Sequence, residues 1–266
     1  MSSWIWIAAV LGLVEGLTEF LPVSSTGHLI LVGRLLRFDG QKAASFEIFI
    51  QLGAILAVLV LYRRRFARLL VLKDATGFSG IRGLFLLGLT MLPAVVLGAA
   101  FHGFIKQYLF HPNHVAAGLL AGGLWIVLAE RFGSPPQVSD LDRLTWRQAL
   151  AIGLFQCMAL WPGMSRSAST ILGGMITGLD RKTAAEYSFI AAVPLMIAAC
   201  LFDLVKSFGC LHAADAVPFG IGFIIAFVAA LVSVEFLIRF VSRHSLVPFG
   251  WYRMAVAAVT FLVVKS

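Results

Sequence analysis

The chain has 266 residues, of which 60% are hydrophobic and only 13% are charged. Soluble globular proteins average roughly 45–50% apolar and about 25% charged residues, so the composition excludes an ordinary soluble domain. The net charge of +8 does not indicate a nucleic-acid partner, because arginine and lysine collect in the cytoplasmic loops of membrane proteins.

The apolar segments, taken in chain order, predict an all-α integral membrane protein. The first stretch, 4–33, lacks the positive n-region of a cleavable signal peptide and is interrupted by polar residues. A second interrupted stretch covers residues 148–177. Six uninterrupted segments have the length of bilayer-spanning helices, and they lie at 46–62, 84–101, 115–130, 185–205, 217–238 and 247–264.

Both interrupted stretches carry a polar motif that contains proline, glycine and hydroxyl residues. The first motif is EGLTEFLPVSSTGH at 15–28, and the second is QCMALWPGMSRSAST at 156–170. A broken backbone at membrane depth is tolerated only where protein or a water-filled cavity surrounds it. We therefore predict two re-entrant helix–loop–helix hairpins in addition to six transmembrane helices.

The second half of the chain repeats the first. With a shift of 141 residues the halves align without a gap over more than thirty positions, and Glu15 meets Gln156. We predict a single membrane domain, 1–266, with repeat one at about 1–133 and repeat two at about 142–266. A hairpin and three spans cross the membrane an odd number of times, so the two repeats would have inverted topology, as in many transporters.

The distribution of basic residues predicts the orientation of the chain. If the 63–83 loop is cytoplasmic, three further loops are cytoplasmic too, and together they hold thirteen of the twenty-one lysines and arginines. Seven lie on the opposite side, and Arg166 lies in the second hairpin. This bias predicts extracytoplasmic termini and a first hairpin that enters from the same side. The hairpin tips would meet near the midplane, where half-helix N-termini favour an anion.

Two acidic residues in the first motif are candidates for chemistry. Glu15 and Glu19 are one helical turn apart, so their carboxylates share a face. A charge at the bilayer centre costs roughly 2.5–3.5 kcal/mol on insertion scales and therefore usually marks function. The pair could bind a divalent cation, one carboxylate could act as a general base, or both could simply balance an arginine.

The residues that follow predict a phosphate site in the first hairpin. Hydroxyls and amides of Ser24, Ser25, Thr26 and Gly27 form the kind of cradle that binds phosphate. His28 is three residues after Ser25 and, in a tight turn, could activate the Ser25 hydroxyl as a nucleophile.

The second motif predicts the cationic part of the same site. Arg166 lies between Ser165 and Ser167, shortly after Gly163. Its planar guanidinium suits phosphate oxygens, although it could equally be the counter-ion of the two glutamates. After the first hairpin, Glu47 and Gln51 begin a span and could line the cavity.

The motifs at 15–28 and 162–170, together with FEIFIQLG at 46–53, resemble the signature regions of bacterial undecaprenyl-diphosphate phosphatases, the bacitracin-resistance family. The resemblance covers essentially the whole chain. It implies dephosphorylation of the C55 isoprenoid diphosphate to the monophosphate, which recycles the lipid carrier for cell-wall synthesis and confers bacitracin resistance. It also implies a plasma (inner) membrane location, an active site open to the extracytoplasmic side, and a divalent cation, Mg²⁺ or Ca²⁺.

By motif, the resemblance implies catalytic roles for Glu15, Glu19, Ser25, His28 and Arg166. Glu15 and Glu19 would be the acidic pair and are also the metal candidates. Ser25 would be the nucleophile, His28 its partner and Arg166 the phosphate clamp. The expected partners are the isoprenoid diphosphate and membrane lipids, with no nucleic acid. The sequence leaves the oligomeric state open, a homodimer included.

Two alternatives stay open at this point. A metal-activated water could attack the phosphate directly, with Ser25 only a ligand. Inverted repeats also suit a transporter or a lipid-phosphate flippase, although a carrier needs no nucleophile beside a base. The chain is not assigned to the type 2 phosphatidic-acid phosphatases, which have similar motifs, because Leu172 stands where their downstream histidine is expected.

Overall fold

Long apolar segments determine the architecture, and the regular secondary structure is helical. The computed structural model describes residues 2–71, 76–133, 135–207 and 215–265. Within these ranges the only β-type pairing is an isolated bridge between Val138 and Leu179. Helices satisfy their backbone hydrogen bonds internally, as a segment in lipid must. The prediction of an all-α fold is confirmed for the described residues.

The helices follow one another with short connections. In chain order they are α1 (Ser2–Thr18), α2 (Ser25–Leu35), α3 (Gly40–Leu61), α4 (Arg63–Leu69), α5 (Gly80–Ala100), α6 (His102–Phe104), α7 (Pro112–Phe132), α8 (Trp146–Gln156), α9 (Arg166–Ile176), α10 (Arg181–Ser207), α11 (Ala216–Val241) and α12 (Val247–Lys265). A π-helical turn, Ile105–Leu109, follows α6, and 3₁₀ turns at Leu141–Arg143 and Cys157–Leu160 flank α8.

Five of the described helices are long and apolar enough to cross a bilayer, which makes this an integral membrane protein. They are Lys42–Leu61, Gly80–Ala100, Pro112–Phe132, Arg181–Phe202 and Ala216–Val241. These coincide with the first five predicted spans. The sixth predicted span forms α12, whose apolar part, Val247–Leu262, is shorter. The loop predicted at 63–83 begins with helix α4, and its residues 72–75 lie outside the described part of the chain.

The two interrupted stretches form two helix pairs with the same geometry. The pairs are α1–α2, joined by residues 19–24, and α8–α9, joined through a 3₁₀ turn and residues 161–165. Helices α2 and α9 have 11 residues each, and their bounds differ by the same 141 positions as the sequence repeat. The residue before each helix, Ser24 or Ser165, has φ 70°. Non-glycine residues rarely adopt this left-handed conformation, so its occurrence at both tips reflects one backbone design used twice.

Helices from the two halves of the chain pack against each other. Helix α1 packs mainly on α11, α8 on α5, α7 on α12, and α3 on both α10 and α11. Small residues allow the closest approach: a Cβ at Gly16 of α1 would lie 2.6 Å from the Cβ of Ala229 on α11. Such close contacts replace the hydrophobic driving force that helices lack in lipid. This packing brings the two non-helical connections together.

Candidate active site

A cavity of about 150 Å³ lies between the two tips, and both polar motifs line it. Its lining residues are Glu19, Ser24, Ser25, Thr26, Gln51, Ala159, Pro162, Gly163, Ser165, Arg166 and Met196. Eight of these were predicted as site residues from the sequence. Glu15, Gly27, His28 and Ser167 were also predicted, but they are not part of the lining.

A chain of three side chains connects the two tips at this cavity. The Ser25 hydroxyl donates to Glu19 Oε2 at 2.5 Å, and Arg166 Nη2 donates to Glu19 Oε1 at 3.1 Å. The side chains of Arg166 and Glu19 are only 13% and 7% exposed, so this ion pair is shielded from solvent. Glu19 therefore has a hydroxyl on one oxygen and a cation on the other, the arrangement of a base beside a nucleophile.

Contacts from α10 fix the direction of the Arg166 guanidinium. Its Nη1 donates to the Ser188 carbonyl at 3.2 Å, and its Nη2 lies 3.4 Å from Met196 Sδ. The guanidinium carbon also lies 5.4 Å from the ring centroid of Phe20. The Nε of Arg166 is buried and has no hydrogen-bond partner within the described ranges. Arg166 thus retains donor capacity for an anion in the cavity.

The imidazole of His28 does not contact the Ser25 hydroxyl, as the sequence had suggested it could. Its Nδ1 is 2.8 Å from the carbonyl oxygen of Ser24, and its Nε2 is 2.8 Å from the Tyr252 hydroxyl of α12. The reason is that α2 starts at Ser25, so His28 lies in the first helical turn and faces α12. Glu19, and not His28, forms the hydrogen bond with the Ser25 hydroxyl.

Glu15 lies one turn behind Glu19 and is fully buried. Neither of its carboxylate oxygens has a hydrogen-bond partner among the described residues. An unpartnered buried carboxylate is costly, and a bound cation or a proton removes that cost. Over the described ranges, no group of three or more His, Cys, Asp and Glu side chains is placed to hold a metal ion. A cation here would need ligands besides Glu15 and Glu19.

The remaining predicted residues have structural contacts around the cavity. Ser165 caps α9, since its Oγ accepts from the Ala168 N–H at 3.2 Å. Ser167 Oγ donates to the Leu21 carbonyl at 2.8 Å and so joins the two tips. A Cβ at Gly27 would lie 3.0 Å from Leu119, so this glycine allows α2 to approach α7.

Sequence reasoning missed Arg253, which lies on α12 and is fully buried. Its Nη2 donates to the carbonyls of Gly163 at 2.7 Å and Met164 at 2.9 Å, directly behind the second tip. The orientation count had placed Arg253 among the seven basic residues outside the cytoplasmic loops. The signal was present: Arg253 is a charged residue within an apolar span, the same feature that marked Glu15 and Glu19.

The arrangement combines a hydroxyl next to a carboxylate with a shielded guanidinium across a small cavity. Such a site can transfer a phosphoryl group to serine, because a base can accept the hydroxyl proton and a guanidinium can stabilise charge on the phosphate. The amides at the starts of α2 and α9 add positive potential at the same place.

Comparison with known proteins agrees with this chemistry. The family model described as bacitracin resistance protein BacA matches residues 8–259. An undecaprenyl-diphosphatase of Maridesulfovibrio salexigens is 56% identical over 95% of this chain and 96% of its own length. Those of Nitratidesulfovibrio vulgaris strain DP4, 54% identical over 96% of both chains, and Lawsonia intracellularis, 46% identical over 100% of both, are also similar. The chain belongs to the bacitracin resistance protein BacA family.

Proposed function

We propose that the chain hydrolyses undecaprenyl diphosphate to undecaprenyl phosphate and inorganic phosphate. Family membership and the similarity to undecaprenyl-diphosphatases over nearly the full length support this activity. The observation that carries it in the structure is the Ser25–Glu19–Arg166 chain across the cavity. The reaction recycles the lipid carrier of cell-wall synthesis, and it lowers the amount of diphosphate lipid, in keeping with the bacitracin-resistance name of the family.

In the first step, Ser25 Oγ attacks the terminal phosphorus while Glu19 Oε2 accepts its proton. The Oγ–P bond forms, the bridging P–O bond breaks, and undecaprenyl phosphate leaves. The 2.5 Å contact between Ser25 Oγ and Glu19 Oε2 supports this proton transfer. Arg166 stabilises the equatorial oxygens, where the charge of the transition state is spread.

In the second step, water attacks the phosphoserine and releases inorganic phosphate. Glu19 returns the proton from the first step to the Ser25 oxygen as the O–P bond breaks, and it accepts one proton from the attacking water, which then leaves with inorganic phosphate. Ser24, Thr26 and Ser165 line the cavity and hold the phosphate through hydroxyls and amides. His28 supports the first tip through the Ser24 carbonyl and does not take part in either proton transfer.

The residues present fit a divalent cation, Mg²⁺ or Ca²⁺. The unpartnered carboxylate of Glu15 and the neighbouring Glu19 are hard oxygen donors and would be the residues that hold it. A bound cation would neutralise diphosphate charge. It would also compensate the Glu15 carboxylate, which has no hydrogen-bond partner within the described ranges.

The proposed topology has six transmembrane helices and two re-entrant hairpins, α1–α2 and α8–α9, arranged as inverted repeats. Two observations support the repeat. The bounds of α2 and α9 coincide under the 141-residue shift, and each helix follows a serine with left-handed backbone conformation. With both termini extracytoplasmic, hairpin one enters from that side and the active site opens there. The chain would lie in the bacterial plasma (inner) membrane.

The decisive experiment measures phosphate release from a C55 diphosphate by purified protein in detergent, with Mg²⁺ or Ca²⁺ added. Wild-type protein should release phosphate, and Ser25→Ala should lose at least about a thousandfold in kcat. Ser233→Ala is the matched control, because among the described residues this buried serine donates only to the Leu17 carbonyl, at 2.9 Å. No release by the wild type with the metal present would contradict the enzyme and favour a carrier.

Quenched reactions separate the two mechanisms of phosphoryl transfer. The proposed mechanism predicts ³²P bound covalently to Ser25 when the terminal phosphate is labelled. Direct attack by water predicts no labelled protein and substantial turnover by Ser25→Ala.

A further inference from the structure

Helix α12 inserts a guanidinium behind the tips of both hairpins. Arg253 Nη2 donates to the carbonyls of Gly163 at 2.7 Å and Met164 at 2.9 Å in the second tip, and to Gly118 of α7 at 3.3 Å. Its Nη1 donates to the Pro22 carbonyl of the first tip at 3.5 Å. One side chain is therefore bonded to both tips.

Ion pairing does not account for this buried arginine. Every hydrogen-bond partner of Arg253 in the described part of the protein is a backbone carbonyl, and no carboxylate there forms a salt bridge with it. Burying a charge without a counter-ion carries a desolvation cost of several kcal/mol. A neutral residue would avoid that cost, but no neutral side chain could bond both tips in the same way.

Helix α7 is shaped to admit this guanidinium. A Cβ at Gly122 would lie 2.6 Å from Arg253 Cζ and would also collide with Nη2. A Cβ at Gly118 would lie 2.5 Å from the Pro162 carbonyl oxygen of the second tip. Two glycines one helical turn apart thus leave room for the arginine and for the tip that it bonds.

We propose that Arg253 is a positioning residue, whose guanidinium fixes the separation of the two tips and hence the placement of Arg166 relative to Ser25. In a trans peptide the carbonyl and the N–H point in opposite directions. Because the Met164 carbonyl accepts a hydrogen bond from Arg253, the Ser165 N–H of the same peptide points away from Arg253. Ser165 lines the cavity. The inference rests on the proposed phosphatase activity.

Two single variants and their combination test this role in the phosphate-release assay. Arg253→Lys keeps the charge but loses the guanidinium whose two Nη atoms bond both tips. Gly122→Ala displaces this guanidinium without removing a polar group. Each should lower kcat by about 10- to 100-fold, because small misplacements of reacting groups cost that much. KM should stay within about threefold, because the phosphate ligands remain. The double variant should be no slower than the slower single variant, since both act on one contact.

Rates are compared per folded protein, after size exclusion in detergent. Gly88→Ala is the matched control, because a Cβ there meets no atom of the described residues within 4 Å, and it should keep the wild-type kcat. Wild-type kcat in Arg253→Lys, raised KM with unchanged kcat, or multiplied losses in the double variant would each overturn the proposal. If Arg253→Lys does not fold, wild-type kcat in Gly122→Ala overturns it. Wild-type protein without activity would contradict the proposed function instead.

Discussion

At the residue scale, the group beside the Ser25 hydroxyl is a carboxylate. Glu19 contacts both Ser25 and Arg166, whereas His28 contacts Ser24 and Tyr252. We expect Glu19→Gln to lower kcat by at least about 100-fold, the usual contribution of a general base. His28→Gln should cost only about tenfold, because it weakens the support of the tip and leaves the base in place.

Steady-state phosphate release by the two variants checks this difference. Glu235→Gln is the control, since its carboxylate is exposed and pairs with Arg239 on the surface. An equal or larger loss in His28→Gln would show that the imidazole is the base.

The sequence could identify the ingredients of the site but not all of their contacts. Glu19, Ser25 and Arg166 could be found because polar residues in apolar stretches are energetically costly and therefore stand out. All three also lie in the two polar motifs. The partner of His28 could not be found, because Tyr252 is 224 positions away and contacts it only through the packing of α12. Arg253 carried a detectable signal of the same kind as Glu15, but no motif surrounds it.

At the element scale, helices α2 and α9 both begin after a serine with left-handed backbone. A Cβ makes this conformation unfavourable by about 1–2 kcal/mol, and glycine avoids that cost. Ser165→Gly and Ser165→Ala both remove the cap on Ala168, but only the alanine variant keeps the strain. We expect the glycine variant to be the more stable of the two by about 1 kcal/mol.

Unfolding in detergent, followed by circular dichroism, measures the two stabilities. Ser242 provides the control pair, since it has φ −67° after α11. There the order should reverse, with alanine more stable than glycine. The same order at both positions would contradict the strain argument.

The helix bounds were the best predicted part of the fold. Six apolar segments and two interrupted stretches matched helices or helix pairs, with bounds that differ by at most six residues, because length and hydropathy determine both. Helix α4 was predicted as loop, because the three consecutive arginines that begin it carry no apolar periodicity.

At the scale of the whole molecule, Glu130 joins three separate segments. Its carboxylate accepts from Arg181 Nε at 2.9 Å and from the Leu246 N–H at 2.7 Å, and its side chain is only 3% exposed. Glu130→Gln should lower the free energy of unfolding by about 1–3 kcal/mol, since buried donors lose a charged acceptor. Thermal unfolding of this variant tests the prediction. As a control, the exposed Glu235–Arg239 pair should contribute less than about 1 kcal/mol to the free energy of unfolding. Equal effects at both sites would contradict the argument.

The proposed orientation is tested by labelling intact cells. In a cysteine-free variant, an impermeant maleimide should label Asp39→Cys, between α2 and α3, but not Arg64→Cys in α4. Both positions are exposed, so access depends on the side of the membrane. Permeabilised cells should show both labels and so serve as the control. Labelling of Arg64→Cys alone in intact cells would invert the topology.

The packing of α1 on α11 also has a consequence for biosynthesis. The first helix emerges from the ribosome some 200 residues before its partner, and Arg253 follows later still. A contact between such distant segments forms only after the intervening chain has been inserted. The nascent protein therefore carries Glu15, Glu19 and Ser25 in the α1–α2 pair before α11, the main packing partner of α1, has been synthesised. We therefore expect catalytic competence only at the end of translation, because a chain that ends before α12 lacks Arg253 and its contacts with both tips.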